Sequence, residues 1–395
     1  MSWKETYNAW KNYQALEPDL KDELAKLEGN DEALEDAFYA PMEFGTAGMR
    51  GVIGAGINRM NVYTVRQATE GLASLMDTLD EETKRRGVAI SYDSRYKSQE
   101  FAFESARVLG AHGIPSFVFE SLRPTPELSF TVRHLHAYAG IMITASHNPK
   151  QYNGYKIYGE DGAQMPPKES DLITKYIREV DDIFAVEAAD KDALINDGTL
   201  KVIGSEIDKE YLAEVKKVTV DPELVAEEGK TMKLIFTPLH GTGAMLGEKA
   251  LRQAGFEDFT MVPEQATPDA DFSTVEHPNP EFPEAFDLAI KLGKRDDADL
   301  LIAVDPDADR LGAAVRQPDG DYKLLTGNQI AAIMLNYILT ARKNAGTLPE
   351  NGALVKSIVS SEFAAKIAKD FGCDTINVLT GFKFIAEQIQ HFEET

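Results

Sequence analysis

Asp305, Asp307 and Asp309, three carboxylates at alternate positions, form the sequence feature best suited to metal chemistry. They directly follow the apolar run 300–304. Carboxylate oxygens are hard ligands that suit Mg2+, and crowding three of them without a cation would be repulsive. An EF-hand loop does not fit, because the sixth position is Arg310 rather than glycine and the twelfth is another arginine. The pattern favours a metal-binding loop anchored on a strand, with a solvated acidic turn as the alternative.

A serine in a short polar segment is the second candidate. Ser146 lies within residues 144–149, immediately after the apolar run 139–143. A hydroxyl on a tight turn at a strand end faces a cleft, where flanking backbone N–H groups can cradle a phosphate. His147 and Lys156 bring a candidate base and a cation close in sequence. From spacing alone, both a phosphate-handling serine and an ordinary polar loop stay open.

Two further segments combine glycine with polar residues. Residues 45–51 contain three glycines and Arg50, so the backbone there can approach a ligand while the guanidinium offers a fork for phosphate. Residues 238–243 follow the apolar run 233–236 and fit neither a Walker A loop nor a dinucleotide fingerprint. We interpret this second segment as a tight turn before a helix that begins near Ala244.

The surrounding elements predict parallel βαβ units. Short aliphatic or β-branched runs alternate with helical stretches, as at 87–91, 99–112 and 116–119. Similar strands are predicted at 139–143, 233–236, 300–304 and 354–355. Polar or glycine-rich residues follow each of these four, and open α/β sheets place their sites beyond the carboxyl ends of strands. Residues 1–38 carry apolar positions at helical spacing and predict a helical lead-in.

Composition narrows the class of protein. With 395 residues, 43% of them hydrophobic, the chain predicts several globular domains. A net charge of -24 argues against nucleic acid or an anionic membrane as partner. The apolar runs are far shorter than the roughly 20 residues that cross a bilayer. The single cysteine, Cys373, cannot form an internal disulfide and predicts a buried packing residue in a reducing compartment, the cytoplasm.

Two soft boundaries predict three parts. The segment 181–210 is charged and weakly periodic, and residues 317–320 contain the turn-forming sequence Pro-Asp-Gly. We therefore expect a first domain at 1–188 with the serine loop, residues 144–149. A second domain is expected at 189–318 with the candidate metal-binding segment 305–310, called the aspartate loop below. A third unit would begin at 319 and run to residue 395.

Four motifs, taken in order, closely resemble the α-D-phosphohexomutase superfamily, and its long bacterial phosphoglucomutase branch most of all. That branch also contains phosphomannomutases and phosphopentomutases. The resemblance covers the chain from about residue 40 onward and implies a multi-domain α/β fold of mixed, mostly parallel sheets flanked by helices. The motifs are Gly-Thr-Ala-Gly-Met-Arg-Gly at 45–51, Thr-Ala-Ser-His-Asn-Pro at 144–149, Asp-Pro-Asp-Ala-Asp-Arg at 305–310 and Thr-Gly-Phe-Lys at 380–383.

The resemblance assigns roles to individual residues. Ser146 would be the phosphoserine, and one of its phosphate oxygens would join Asp305, Asp307 and Asp309 in holding one Mg2+. Further positions match groups near the phosphate or the sugar. Those near the transferred phosphate are Arg50, Lys156 and Arg310; those with other active-site positions are His147 and Lys356; and those on the sugar-recognition loop are Thr380 and Gly381.

The implied activity is the interconversion of glucose 1-phosphate and glucose 6-phosphate through glucose 1,6-bisphosphate, which also activates the enzyme. Sugar phosphates would be the small-molecule partners. Mannose or pentose phosphates are the alternative substrates, and a metal-dependent phosphatase or a non-catalytic phosphosugar-binding protein are alternatives outside the class. Members of this branch continue for more than a hundred residues beyond this chain's last residue. We therefore expect an incomplete third domain, no fourth domain and weak or no turnover.

Overall fold

The computed structural model describes residues 2–45, 48–165 and 167–394. The chain divides into two compact units, residues 1–204 and residues 205–395. Each unit contains β-sheet flanked by helices, and the sheets mix parallel with antiparallel pairs, which confirms the predicted fold class. Within the described ranges, no helix is both long enough and apolar enough to cross a membrane.

The first unit begins with the predicted helical lead-in. It consists of the helices α1 (Trp3–Asn12), α2 (Pro18–Leu27) and α3 (Asp31–Phe38). A capping box at Ser2 begins α1, and Pro18 begins α2 at a position where a missing N–H costs nothing. Their apolar faces share a buried cluster with the helix α4 (Val62–Met76), in which the ring of Trp10 lies edge-on to the ring of Tyr63 at 5.6 Å.

A mixed sheet forms the centre of the first unit. Its strands are β1 (Met49–Val52), β2 (Val88–Tyr92), β3 (Ser116–Phe119), β4 (Ala139–Ile143), β5 (Tyr152–Tyr158) and β6 (Leu200–Ile203). They lie in the order β1-β5-β4-β2-β3-β6, with β4, β2, β3 and β6 parallel and with β5 and β1 antiparallel to their neighbours. The strands predicted at 87–91, 116–119 and 139–143 are confirmed.

Helices accompany this sheet. They are α4 (Val62–Met76), α5 (Glu81–Arg85), α6 (Ser98–Ala111), α7 (Thr125–His134), α8 (Pro167–Arg178) and α9 (Lys191–Asp197). Every residue of β2 and β4 is buried, as expected for central strands covered on both faces. The polar residues that directly follow β2 and β4 therefore lie at the carboxyl-terminal edge of a buried sheet.

The first unit continues beyond the boundary predicted at residue 188. Strand β6 pairs with β3, so that residues 200–203 complete the first sheet. The charged segment 181–210 therefore contains α9 and β6 rather than a linker, and the compact unit ends at Gly204. Weak periodicity in this segment reflects one short helix and one edge strand.

A second mixed sheet lies in the second unit. Its strands are β7 (Leu234–Thr237), β8 (Phe259–Met261), β9 (Leu300–Val304), β10 (Leu311–Arg316) and β11 (Tyr322–Leu324), in the order β11-β10-β9-β7-β8. The accompanying helices are α10 (Ser205–Lys217), α11 (Pro222–Glu228), α12 (Gly243–Ala254) and α13 (Asp287–Asp296), with 3-10 turns at Pro263–Gln265 and Pro283–Phe286. The turn at 317–320 joins the antiparallel strands β10 and β11, so both of its sides share one sheet.

Residues 327–394 complete the second unit. They form α14 (Gly327–Asn344), β12 (Ala353–Ser357), α15 (Glu362–Asp370), β13 (Asp374–Val378) and α16 (Phe382–Glu394). Strands β12 and β13 pair in parallel. Cys373 is buried against Leu339 and Ala368, which confirms the packing role predicted for it.

Candidate active site

Ser146 lies on the loop that follows β4, and its backbone is left-handed with φ 53. Non-glycine residues adopt this conformation only in special settings. The serine is 3% exposed, and its Oγ lies 3.2 Å from Nδ1 of His147. The structure therefore places the predicted nucleophile within hydrogen-bond distance of the predicted base.

The backbone amides of this loop are partly used inside it. The N–H of Ser146 donates to Oγ1 of Thr144 at 2.8 Å, and the N–H of Asn148 donates to the carbonyl of Ala145 at 3.1 Å. These two amides stabilise the turn itself, so the expectation that flanking N–H groups cradle a phosphate does not extend to them. Side-chain cations are better placed for that task.

A buried arginine that the motif analysis missed supports the serine loop. The guanidinium of Arg95 donates to the carbonyls of Ser146 and Asn148, both at 2.5 Å. It also donates to the carbonyls of Pro149 at 2.9 Å and Tyr152 at 3.1 Å. One side chain therefore binds the loop from Ser146 to the start of β5.

Asp93 is the buried partner of this arginine. Its Oδ2 lies 3.1 Å from Nε of Arg95, and both side chains are 0% exposed. The same carboxylate accepts from Oγ1 of Thr144 at 2.6 Å and from Oγ of Ser98 at 2.7 Å. Burial raises the pKa of Asp93, while the charge of Arg95 acts in the opposite direction. Both residues directly follow β2, and that position beyond a buried strand was the signal that could have found them.

Arg50 reaches the serine loop from β1. Its Nη1 donates to Oδ1 of Asn148 at 3.0 Å, and its backbone pairs with Gly154 of β5. Lys156, 7% exposed, lies two residues further along β5 and pairs with β4. The sheet therefore brings the two predicted cations to the strands beside Ser146.

The glycines of the 45–51 motif have a structural use. A Cβ on Gly48, which has φ 110, would lie 1.9 Å from the carbonyl oxygen of Tyr155. At Gly48 the backbone therefore approaches β5 closely. Thr46 and Ala47, also part of the motif, lie outside the described residues.

The aspartate loop follows β9 in the second unit. Carboxylate oxygens of Asp305, Asp307 and Asp309 all lie within 4.8 Å of one another. Asp305 and Asp307 are completely buried, whereas Asp309 is exposed. Two buried carboxylates do not fit a solvated acidic turn, while three clustered oxygen ligands fit a hard divalent cation such as Mg2+.

Backbone contacts hold this loop in shape. Ala308 is left-handed with φ 53, and its N–H donates to the carbonyl of Asp305 at 2.9 Å. The N–H of Arg310 donates to Oδ1 of Asp305 at 3.0 Å, which fixes the first carboxylate. The guanidinium of Arg310 lies 3.9 Å from Glu281, at a half-buried position beside the loop.

The segment 238–243 lies directly against the aspartate loop. It is the tight turn we predicted, and α12 begins at Gly243. A Cβ on Gly241 would lie 2.3 Å from Cα of Pro306, and Thr242 donates its N–H and its Oγ1 to the Pro306 carbonyl at 2.8 and 3.0 Å. Its second role, positioning the aspartates, was not predicted.

The remaining predicted residues lie at one edge of the β12–β13 pair. Lys356 of β12 is 5% exposed and donates to Glu362 at 2.8 Å and to the Ser360 carbonyl at 3.1 Å. Thr380 and Gly381 follow β13 and are exposed, with φ 132 at Gly381. Since the strands are parallel, the segments after both meet at the same edge. The roles predicted for these three residues stay predictions.

Comparison with known proteins identifies the family. Three successive segments match the alpha/beta/alpha domains I, II and III of phosphoglucomutase/phosphomannomutase, at residues 41–183, 209–320 and 326–393. The chain therefore belongs to this family within the α-D-phosphohexomutase superfamily, as its motifs predicted.

Staphylococcal relatives match over most of the chain. The phosphoglucomutase of Staphylococcus saprophyticus is 39% identical over 354 residues, which are 90% of this chain and 62% of the relative. The phosphoglucomutase of Staphylococcus aureus strain USA300 is 38% identical over 360 residues, 91% of this chain and 62% of the relative. The chain thus spans less than two thirds of the length of these relatives.

Solved structures share the fold. A protein of Thermus thermophilus, provisionally assigned as a phosphomannomutase, superposes with a TM-score of 0.70 and 25% identity over 89% of this chain and 72% of its own. The parafusin phosphoglucomutase of Paramecium superposes with a TM-score of 0.67 and 20% identity over 90% of this chain and 65% of its own. The fold described above is therefore the fold of this family.

Proposed function

We propose that this chain carries the phosphoryl-transfer machinery of a phosphoglucomutase, which interconverts glucose 1-phosphate and glucose 6-phosphate. The observation that carries the proposal is Ser146, held left-handed at a strand end with its Oγ 3.2 Å from an imidazole nitrogen. Family membership and the staphylococcal phosphoglucomutases support the same activity. These residues would supply the phosphoryl-transfer chemistry of that activity.

The reaction consists of two phosphoryl transfers, one from the enzyme oxygen to the sugar and one from the sugar to the enzyme oxygen. In the first step the bond from phosphorus to Ser146 Oγ breaks and a bond to the sugar 6-oxygen forms. As Oγ leaves, the proton of the 6-hydroxyl passes to the Ser146 Oγ–His147 pair, and glucose 1,6-bisphosphate results. After the bisphosphate reverses its orientation, the bond from the other phosphorus to the 1-oxygen breaks and a bond from that phosphorus to Oγ forms, while the proton held by the Oγ–His147 pair passes to the 1-oxygen.

The residues of this chain then have distinct tasks. His147 lies close enough to Oγ to hold its proton when the serine is not phosphorylated. Arg50 and Lys156 supply positive charge on the strands beside the serine, and Arg310 supplies it beside the aspartate loop. The three aspartates would hold the Mg2+, which when bound stabilises negative charge on phosphoryl oxygens.

Glucose is the proposed sugar, with mannose and pentose phosphates as alternatives within the same family. Thr380 and Gly381 would contact the sugar, and glucose 1,6-bisphosphate would prime the serine. The cytoplasm is the proposed location, in keeping with a single buried cysteine. Rates on glucose, mannose and ribose 1-phosphates, measured with equal priming by the matching bisphosphate, separate the three substrates.

The experiment that tests the transfer chemistry is an intact mass and a phosphopeptide map before and after incubation with glucose 1,6-bisphosphate and Mg2+. We expect one added phosphoryl group on Ser146. Ser146→Ala should stay unmodified, whereas the control Ser116→Ala, which alters a buried hydroxyl on β3, should still be labelled. Release of inorganic phosphate without isomerisation would indicate a phosphatase instead, and sugar-phosphate binding without any label would indicate a non-catalytic binding protein.

A further inference from the structure

We propose that Arg95, anchored by Asp93, is the positioning residue that holds the Ser146 loop in the conformation needed for phosphoryl transfer. The inference rests on the proposed function for its catalytic consequence, but its structural content concerns only the first unit. Neither residue belongs to the motifs that suggested the activity. Both act through the backbone of the loop.

The contacts of Arg95 cover the whole loop. Its Nη2 donates to the carbonyls of Ser146 and Asn148, and its Nη1 donates to those of Pro149 and Tyr152. A guanidinium is planar and carries its donors in a fixed fork, so four carbonyls bound to it are held in a fixed arrangement relative to one another. A flexible ammonium has no such geometry.

Both backbone groups of Ser146 lead to the same buried ion pair. Its carbonyl binds Arg95 directly at 2.5 Å. Its N–H donates to Oγ1 of Thr144, which in turn donates to Oδ2 of Asp93. Because a left-handed serine is strained relative to the common conformations, it persists only where its surroundings determine it. The Asp93–Arg95 pair fixes the backbone conformation of Ser146 through both its carbonyl and its N–H.

The burial of the pair makes this support stiff. Both side chains are 0% exposed and lie 3.1 Å apart, so water does not compete for the carbonyls. Catalytic groups need to be held within about 0.5 Å of the productive geometry. A displacement of about 1 Å can lower a rate by roughly 100-fold, so we expect an effect of that size when Arg95 is removed.

The kinetic test compares Arg95→Ala with Arg123→Ala. Arg123 is also buried in the first unit, where its guanidinium donates to Ser121 and Leu122 and lies 3.6 Å from Glu120 and 3.7 Å from Glu127. Single-turnover transfer from glucose 1,6-bisphosphate to Ser146 should slow by about 100-fold in Arg95→Ala and only slightly in the control. Added methylguanidinium should restore much of the lost rate in Arg95→Ala, and Arg95→Lys should restore it poorly. Equal slowing in both variants, without rescue, would overturn the proposal.

The structural test does not depend on catalysis. Amide hydrogen exchange at Ser146 and Asn148, whose N–H groups bond within the loop, should accelerate in Arg95→Ala and stay unchanged in Arg123→Ala. Unchanged exchange in Arg95→Ala would overturn the positioning role. Accelerated exchange in a protein that takes no phosphate would contradict the proposed function alone.

Should Arg95→Ala fail to fold, Thr144→Val gives a milder test. This variant removes the link between Asp93 and the Ser146 amide and leaves the ion pair in place. Exchange of the Ser146 amide should again accelerate, together with a slower transfer step. A Thr144→Val protein with wild-type exchange and rate would count against the inference.

Discussion

The serine loop and the aspartate loop share a left-handed non-glycine residue, but different kinds of contact hold the two loops in place. Each follows a strand of a mixed sheet, and each contains a non-glycine residue with φ 53, Ser146 in one and Ala308 in the other. The serine loop is held by the buried pair of Asp93 and Arg95. The aspartate loop is held by a neutral support, Gly241 and Thr242, through close backbone contact and hydrogen bonds to Pro306.

The charge of each loop explains the difference. Three clustered carboxylates already carry negative charge, and a buried arginine among them would compete with a divalent cation. Glycine and threonine carry no charge, so a support made of them does not neutralise the carboxylates that would bind the metal. The serine loop has no carboxylate of its own within residues 144–149, so a charged support can bind its carbonyls without disturbing a metal.

We expect the largest effect on stability from removing Asp93, the carboxylate that anchors Arg95 beneath the serine loop. Asp93→Ala leaves the guanidinium of Arg95 buried without its carboxylate, which should lower the free energy of unfolding by about 3–5 kcal/mol. Urea unfolding followed by tryptophan fluorescence measures it, because both tryptophans, Trp3 and Trp10, lie in the first unit. A loss below about 1 kcal/mol, the scale of an exposed pair, would show that the pair is not a structural anchor.

The neutral support should be sensitive to volume rather than to charge. Gly241→Ala introduces a Cβ that would lie 2.3 Å from Cα of Pro306, which should destabilise by about 1–3 kcal/mol and displace the aspartates. Thermal unfolding and a titration with Mn2+ as a paramagnetic probe measure the two effects. Gly327→Ala, where an added Cβ meets no heavy atom within 4 Å, is the matched control and should bind Mn2+ normally. Similar Mn2+ affinity in both variants would contradict the role given to Gly241.

A smaller effect is expected from the hydroxyl of the same support. Thr242→Val removes the bond from Oγ1 to the Pro306 carbonyl but keeps the bond from the Thr242 N–H. Loss of one of two donors should cost about 0.5–1.5 kcal/mol. Chemical denaturation of Thr242→Val, compared with Thr242→Ser, tests this, since serine keeps the hydroxyl. A Thr242→Val protein as stable as the wild type would show that the hydroxyl bond does not contribute to stability.

The smallest effect concerns pH and a second set of charges in the first unit. His112 bridges Glu70, 3.0 Å from Nε2, and Asp77, 2.6 Å from Nδ1, and the Glu70 hydrogen bond leads in raising its pKa from 6.5 to about 9. A raised pKa in the folded state means that this stabilisation is complete below pH 6.5 and is lost as the pH rises through about 9. We expect a loss of about 0.2–1 kcal/mol, because the site is partly exposed.

Tryptophan-detected unfolding between pH 6 and 10 measures this dependence. His112→Asn should flatten the curve, while Thr242→Val should leave its shape unchanged, because neither threonine nor valine carries a titrating group. An equally steep curve in His112→Asn would assign the pH dependence to another residue.

The comparison also shows how far sequence reasoning reaches. Strands such as β4 and β9 were predicted because buried parallel strands are continuous apolar runs, a local signal. Ser146 and the three aspartates were predicted because they follow such runs. The supports were not, since Arg95 reaches the serine loop only through the neighbouring order of β2 and β4 in the sheet. Likewise Gly241 meets Pro306 only because β7 pairs with β9.

Domain boundaries are likewise only partly predictable from local sequence. The turn at 317–320 closes a hairpin between β10 and β11, and the matched domain segments II and III divide close to it, between residues 320 and 326. Residues 189–204 have weak periodicity, yet β6 pairs with β3. Pairing partners distant in sequence decide where a compact unit ends, and turn residues alone do not report them.

The left-handed backbone at Ser146 bears on which alcohol can carry the phosphoryl group. Serine and threonine offer hydroxyls of nearly the same chemistry, but a β-branched side chain is a genuine outlier in the conformation that φ 53 imposes. A threonine there would add a methyl group that the backbone does not readily accommodate. The loop thus selects a primary over a secondary alcohol by its backbone conformation, before any substrate binds.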